Sequence, residues 1–303
     1  MDEIVLALGG GGLKGIAHLG VVFRLMEAGY RIKAIAGTSA GSVVGAVIAS
    51  GAKKEEIINV LSTLNTQNFF SRRDHDGPSL LGLSGLVKLL SPFLEGKMFS
   101  DLKIPLAVTA VDILSKQEYI LNRGSVIEAV VASSSIPGVF PPVRIGKTEL
   151  VDGGILDPVP VSVVRWMKPK LPIVAVCLSP EPEKWPEMPE VSVPLDTHIP
   201  KLILNRIIHM RISQAIRIFV DSMDITSRMI TELRLELEKP DVIIRPDVMK
   251  FGYLDPTNPQ ELLKIGADAM EKALPELEHS LTWRHKFGRQ FQNPQPPSRV
   301  LEE

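Results

Sequence analysis

Two glycine-rich stretches near the start constrain this chain more than any other feature: Gly9-Gly10-Gly11-Gly12-Leu13-Lys14-Gly15 and Gly37-Thr38-Ser39-Ala40-Gly41. The first follows the apolar run Ile4 to Leu8, the second follows Ile32 to Ala36, and each opens a helical pattern. A short apolar run without polar alternation is the pattern of a strand buried on both faces, as in a mostly parallel sheet covered by helices. Two strand-to-helix turns therefore fall close together. In open α/β sheets such turns gather backbone N–H groups at the carboxyl ends of the strands, where ligands bind.

Past the first turn, Ile16, Leu19, Phe23 and Met26 recur at spacings of three and four and mark one buried helix face, which Gly29 ends. Past the second, Gly41, Gly45 and Ala49 recur every four residues, a small-residue stripe that lets a helix backbone lie close on the sheet. An amphipathic helix is expected over Lys53 to Leu64. The pattern then loosens from Thr66 to Ser100, with a polar loop at Arg72 to Pro78; its apolar part, Leu80 to Leu94, reads equally as a lid or as a core helix. Strands are expected over Ile104 to Val111 and Gln117 to Leu121, and a helix over Ser125 to Ser134. An extended passage from Pro141 to Val151 leads to Asp152-Gly153-Gly154, followed by a helix near Val159 to Met167 and a strand over Ile173 to Leu178.

Pro180, Pro182, Pro186, Pro189, Pro194 and Pro200 predict an irregular surface insertion. Between Lys201 and Glu238 a long helical pattern mixes Ile207, Met210, Ile218, Ile225 and Met229 with Arg206, Arg211, Arg217 and Arg228. It fits a basic amphipathic helix touching lipid or, as the simpler expectation, a helix covering the sheet with its arginines in solvent. Val242 to Arg245 and Pro259 to Leu274 supply the last strand and helix. One domain is thus expected over 1–275, with insertions near 66–100 and 180–200, and a polar, flexible tail over 276–303.

Composition narrows the function classes. With 45% hydrophobic and 23% charged residues the chain is not of the disordered class, and a formal net charge of −1 supplies no whole-protein field to recruit nucleic acid or anionic membrane. Cys177 is the only cysteine, so no intrachain disulfide forms, and the start lacks the basic and long apolar regions of a secretory signal; a cytoplasmic location is the expectation. Ala34 to Ala52 is uncharged and long enough to span a bilayer, but Gly37, Gly41, Gly45 and Gly51 with Thr38, Ser39 and Ser42 fit a strand, a turn and a close-packed helix instead. No Cys or His cluster has zinc-ligand spacing, and no metal or cofactor is expected.

Gly10 to Gly15 satisfies G-x-G-x-x-G, the dinucleotide-binding pattern. That site needs an acidic residue roughly 20 positions further on to hold the ribose hydroxyls, and this chain has Ala36-Gly37-Thr38-Ser39 there. A phosphate loop fails as well, because no Gly-Lys-Ser/Thr follows the glycines. Gly37 to Gly41 is instead G-x-S-x-G, whose glycines permit a turn sharp enough to present a serine hydroxyl. A small-residue turn with a helix-capping serine is the alternative. Its place at a strand-to-helix junction, near a glycine-rich run of N–H groups, favours a nucleophile with an oxyanion cradle. No histidine stands in an evident position to serve as base: His18 falls on the first helix, and His75, His198, His209, His279 and His285 fall in loops, the long helix or the tail.

In combination, the glycine run, the serine turn and Asp152-Gly153-Gly154 resemble the patatin-like phospholipase family, which uses a Ser-Asp dyad. Gly10 to Gly15 matches its G-G-G-x-[KR]-G, Gly37 to Gly41 its G-x-S-x-G, and Asp152 to Gly154 its D-G-G/A. The resemblance extends from Ile4 to about Leu274 and is weakest over Thr66 to Ser100 and Glu181 to Ile199. It implies a three-layer α/β/α sandwich around a mostly parallel sheet. Carried over by position, it implies Ser39 as nucleophile, Asp152 as general base and the N–H groups of Gly10, Gly11 and Gly12 as oxyanion hole. Ala40 would add an N–H at a helix N-terminus, while Gly37, Gly41 and Gly153 would shape the turns. Lys14 matches the family's basic position, where it supports the cradle or meets a phosphate; otherwise it is an exposed lysine.

A carboxylate with a pKa near ~4 is a weak base, which favours esters over amides. The expected reaction is therefore hydrolysis of a fatty-acyl ester, phospholipid or neutral lipid, through an acyl-Ser39 intermediate and without metal. Peripheral membrane contact follows from that substrate class alone. Acyl transfer to another acceptor, and a non-catalytic lipid-binding role, would use the same groove and stay open.

Overall fold

The computed structural model describes residues 2–62, 79, 81–187, 203–253, 257–282, 289 and 294–301; from 203 to 217 only the course of the backbone is described. The polar loop at 72–78 and most of the expected insertion at 180–200 lie outside the described residues.

The strands are β1 (Glu3–Leu8), β2 (Arg31–Gly37), β3 (Leu106–Asp112), β4 (Gln117–Leu121), β5 (Val143–Ile145), β6 (Thr148–Asp152), β7 (Ile173–Val176), β8 (Val242–Ile244) and β9 (Arg299–Val300). The helices are α1 (Ile16–Glu27), α2 (Ala40–Ala49), α3 (Lys54–Ser62), α4 (Ser84–Leu94), α5 (Val126–Ser133), α6 (Val161–Met167), α7 (Ile203–Glu238) and α8 (Pro259–Ser280). Helices cover both faces of the sheet, and the central strands divide their side chains between two cores. Ile4, Leu6, Leu8, Leu106 and Val108 join the larger one, with α1, α2, α4, α5 and α8. Val5, Ala7, Ala34, Ala36 and Ala107 join the smaller, with α6 and Leu235 of α7. This alternation is the period of two of an extended strand. Both halves being apolar is why the strands read as unbroken apolar runs.

β1 pairs in parallel with β2 and β7, β2 with β3, and β7 with β8. The antiparallel pairs cluster around β3, and their register sets the geometry of the site. β4 covers Val108 to Asp112, β2 covers Leu106 to Val108 and β6 covers Ala110 to Asp112. Residues shared with β4 put β2 and β6 on the other edge of β3, so these two strands run toward each other along one edge. Gly37 ends β2 opposite Val108, and Asp152 ends β6 opposite Ala110. Two chain ends 115 positions apart in sequence thus meet at their carboxyl termini.

Several expectations are corrected. Met26 is 56% exposed, while Val22 and Leu25 are buried. The reason is α8, which presses on α1 so closely that a Cβ on Gly20 would lie 2.0 Å from Leu263 O, and one on Gly266 would lie 1.9 Å from Ala17 O. Leu86, Leu90 and Leu94 of α4 are buried in the main core, as expected of a core helix. The insertion starts with a 3₁₀ turn, Pro182–Glu187, rather than irregular chain. The tail is not uniformly loose: α8 continues through Pro275 to Ser280, β9 pairs with β4, and Ser298 Oγ donates to Glu118 Oε2 at 2.7 Å. Arg289 is buried and bonds both Asp241 and Ser280 O. Arg289 thus has partners on α8 and in the turn before β8, although its surrounding polar composition marks it as solvated.

Candidate active site

The serine turn is built on close backbone approach. A Cβ on Gly41 would lie 2.0 Å from Leu8 O, and one on Gly37 would lie 2.6 Å from Gly41 O, so neither position admits a side chain. Between them Ser39 has φ 51° and ψ −121°, a positive φ that costs a non-glycine residue about 1–3 kcal/mol. Its neighbours hold it there. Thr38 N–H donates to Leu8 O at 3.0 Å, and Ser39 N–H donates to Ser133 Oγ at 2.8 Å. Thr38 Oγ1 donates to Asp157 O at 2.7 Å, leaving the Thr109 hydroxyl to donate back to it at 2.7 Å. The Ser42 hydroxyl closes the turn on Ser39 O at 2.6 Å.

Asp152 comes to Ser39 because β6 meets β2 end to end on β3. Its N–H is anchored on Ser135 O at 2.9 Å, and its Oδ1 accepts the Gly154 N–H at 2.7 Å. The next residue must be glycine, since a Cβ on Gly153 would lie 2.3 Å from Thr109 Oγ1. Burial raises the Asp152 carboxyl from its ordinary 3.8 to about 6, against hydrogen bonds from the Ser39 side chain and the Gly154 N–H that favour the charged form. Ser39 is 7% exposed and Asp152 6%. The structure therefore joins a hydroxyl and a desolvated carboxyl that a sequence reading could pair only by resemblance.

The glycine run lies beside them, with its donors divided. Gly9 N–H donates to Val176 O and Gly10 N–H to Pro158 O, both at 3.0 Å. Gly10 is thereby removed from the expected oxyanion hole, because its only backbone donor is already used. Among the described residues the N–H groups of Gly11, Gly12 and Ala40 have no backbone acceptor. Gly12 has φ 60°, and a Cβ there would lie 2.2 Å from Tyr253 O, the same carbonyl that accepts Leu13 N–H at 2.8 Å. His18 is a packing residue: its Nε2 donates to Gly9 O at 2.8 Å, and burial lowers its pKa to about 4, so the ring is neutral and the glycine run is pinned from beneath.

Lys14 is neither the exposed lysine of the alternative nor a group facing the cavity to meet a phosphate, which leaves support of the cradle among its expected roles. It is 2% exposed, absent from the lining of the cavity beside Ser39, and seated 3.8 Å from the centre of the Tyr253 ring. Burial lowers its pKa to about 8, opposed by the charge of Asp224 and aided by that of Arg228. Tyr253 Oη donates to Asp224, which pairs with Arg228. This buried chain links the glycine run to α7. Sequence reasoning had no signal for Tyr253, Asp224 or Asp157, whose roles come only from distant contacts, and marked Ser133 only as the start of a Ser133 to Pro142 passage that resembles the family's linking segment.

A cavity of about 290 Å³ opens over the site, lined by Gly11, Gly12, Ser39 and Asp152 on one side and by Phe219, Met223 and Ser227 of α7 on the other. Ser227 Oγ donates to Gly154 O at 3.2 Å, holding α7 against the aspartate turn. Among the described residues no group of His, Cys, Asp and Glu is arranged to hold a metal ion, and no helix is long and apolar enough to cross a membrane.

The chain is 37% identical over 174 residues to an uncharacterized NTE family protein of Mycobacterium tuberculosis, a match covering 56% of this chain and 48% of that protein. It is 30% identical over 210 residues to the uncharacterized protein YqhO of Bacillus subtilis, covering 59% of this chain and 72% of that one. The chain thus spans about half the length of the mycobacterial relative. Its fold is similar to that of VipD from Legionella pneumophila in its crystal structure, with TM-score 0.51 and 15% identity, covering 91% of this chain and 67% of that chain. The model of the patatin-like phospholipase family matches residues 6–165, a span that contains both glycine turns and Asp152, and this chain belongs to that family.

Proposed function

We propose that this chain hydrolyses fatty-acyl esters of lipids through an acyl-Ser39 intermediate. The observation that carries the reading is the meeting of Ser39 and a buried Asp152 beside the uncommitted N–H groups of Gly11 and Gly12. Asp152 takes the proton of Ser39 Oγ as that oxygen attacks the ester carbonyl carbon. Negative charge developing on the carbonyl oxygen meets Gly11 and Gly12, with Ala40 at the N-terminus of α2 as a further donor. Collapse breaks the bond to the alcohol, which leaves with the proton held by Asp152. Water then attacks the acyl carbon, gives its proton to Asp152, and releases fatty acid as Ser39 recovers its own.

The pKa of about 6 gives Asp152 more proton affinity than an ordinary carboxylate, while leaving it ionised at neutral pH. Incubation with a phosphatidylcholine and a monoacylglycerol, with products read by mass spectrometry, tests the reading. The wild-type chain is expected to release fatty acid, and Ser39→Ala and Asp152→Asn to lower the rate by ~10³-fold or more. Wild-type release from Ser39→Ala would remove the mechanism. Acyl transfer would appear as new ester when glycerol is added.

Contact with a lipid aggregate is part of the same proposal. Ile218, Ile225 and Met229 are exposed on α7, the helix whose Phe219 and Met223 line the cavity. A face of this kind favours insertion among acyl chains. The chain is expected to float with vesicles in a density gradient, and Ile225→Ser with Met229→Ser to reduce the floating fraction.

A further inference from the structure

Ser39 borders a second cavity whose walls differ from those of the first. The cavity of about 290 Å³ has Ser222, Asp224, Thr226, Ser227 and Tyr253 among its lining residues. The second, of about 120 Å³, lies between α1, α2, α3 and α4 and meets the first at Gly12, Ser39 and Ile136. Among the described residues Ser39 and Ser134 are the only polar side chains that line it. Ser134 Oγ is buried and has no hydrogen-bond partner among the described residues. The other described residues that line it are glycine or present hydrocarbon. Ser39, Val43 and Val47 line it at successive turns of α2, so it follows that helix for ~12 Å from the serine. Leu86, Leu89 and Phe93 of α4 close its outer side.

We propose that this second cavity is the acyl-chain subsite, and that the alcohol part of the ester occupies the larger cavity. The assignment rests on the ester-hydrolase reading above. A polar headgroup in the smaller cavity would lose its water with almost nothing to replace it, whereas an acyl chain loses only unfavourable hydration there. The polar end of the cavity is the end at Ser39, where the ester carbonyl has to sit. A cavity of about 150 Å³ lined by aliphatic and aromatic side chains holds the six carbons of benzene, so this one, of about 120 Å³, takes about five carbons beyond the carbonyl, a hexanoyl group, as it stands. Longer chains require the α4 wall to move. The segment with two competing sequence readings therefore serves as core helix and as wall of the subsite at once.

The test is a series of p-nitrophenyl esters from acetyl to palmitoyl, paired with calorimetric titration of octanoate into the Ser39→Ala chain. For the wild-type chain kcat/KM is expected to rise from acetyl to about hexanoyl and not beyond. Val47→Phe fills the far end and is expected to lower the hexanoyl-to-acetyl ratio of kcat/KM, and octanoate affinity, at least tenfold. Leu89→Ala opens the half-buried α4 wall and is expected to move the preference to longer chains, a gain that misfolding cannot imitate. Ser39-dependent hydrolysis with chain-length ratios and octanoate binding indifferent to both substitutions would overturn the subsite and leave the hydrolase reading standing. Octanoate binding that still depends on Val47, in a chain that hydrolyses none of the esters, would do the reverse.

Discussion

Helices α2 and α7 approach the same serine turn and are held by opposite means. α2 lies against the sheet through absent side chains: Gly41 touches the Leu8 carbonyl, Gly45 packs on Ile35 and Leu106, and Ala49 is fully buried. α7 is held by charge. Arg228 and Asp224 pair in the interior, and Arg234 bonds Leu156 O and Ser162 Oγ while pairing with Asp157 and Glu238. Its apolar residues Ile225, Met229, Leu233 and Leu237 face outward. For Arg228 this inverts the expectation of a covering helix with its arginines in solvent, while the side chains of Arg206, Arg211 and Arg217 lie outside the described residues; periodicity tells which residues share a face but not which face meets the protein. A steric stripe needs no partner to be read. A buried arginine is legible only when its acidic partners, here from β4, the loop after Asp152 and α7 itself, are known to lie beneath it.

The sharpest way to break the steric half of this contrast is Gly41→Val. Its side chain would enter Leu8 O and push α2 off the sheet, so a loss of more than ~3 kcal/mol is expected, read as loss of cooperative urea unfolding. Arg234→Ala tests the electrostatic half. It leaves the fully buried Asp157 facing Glu118 without its cation, and a loss of about 3 kcal/mol is expected from the urea midpoint.

Asp152 joins the two halves, since it sits on the turn that α7 braces and beside the turn that opens α2. Burial raises its folded-state pKa to about 6 from 3.8, so the folded chain binds the proton more tightly than the unfolded chain. The resulting destabilisation is absent below 3.8, grows as pH rises between 3.8 and about 6, and stays constant above. Asp152→Asn is therefore expected to raise stability at pH 8 by about 3 kcal/mol, and by much less at pH 4, while lowering hydrolysis by ~10³-fold or more. Hydrolysis by the wild-type chain is expected to rise with pH through about 6, as the base form appears. The smallest effect belongs to the outer face of α7, where Ile225→Ser is expected to change stability by less than ~0.5 kcal/mol although it removes a large apolar side chain.

What could be read from the sequence follows the same division. The buried parallel strands, the two glycine turns and the small-residue stripe are local patterns, and the structure has them where local sterics put them. The approach of Asp152 to Ser39 has no local signature, because it depends on β2 and β6 sharing one edge of β3. Gly10 shows the limit within a motif: it fits the glycine pattern as well as Gly11 does, but Pro158 O takes its N–H. Lys14 fits a basic position in sequence, and its burial against Tyr253 is set by a residue 239 positions away. Arg289 and β9 likewise look like solvated tail until Asp241 and β4 are beside them.

Labelling with a fluorophosphonate, followed by peptide mass spectrometry, tests the central claim most directly. It asks whether the Ser39 hydroxyl is activated by Asp152. A single adduct on Ser39 is expected in the wild-type chain, forming more slowly below pH 6 and at least ~10²-fold more slowly in Asp152→Asn. An adduct on another serine, or labelling of Ser39 at the same rate without the Asp152 carboxylate, would contradict the account.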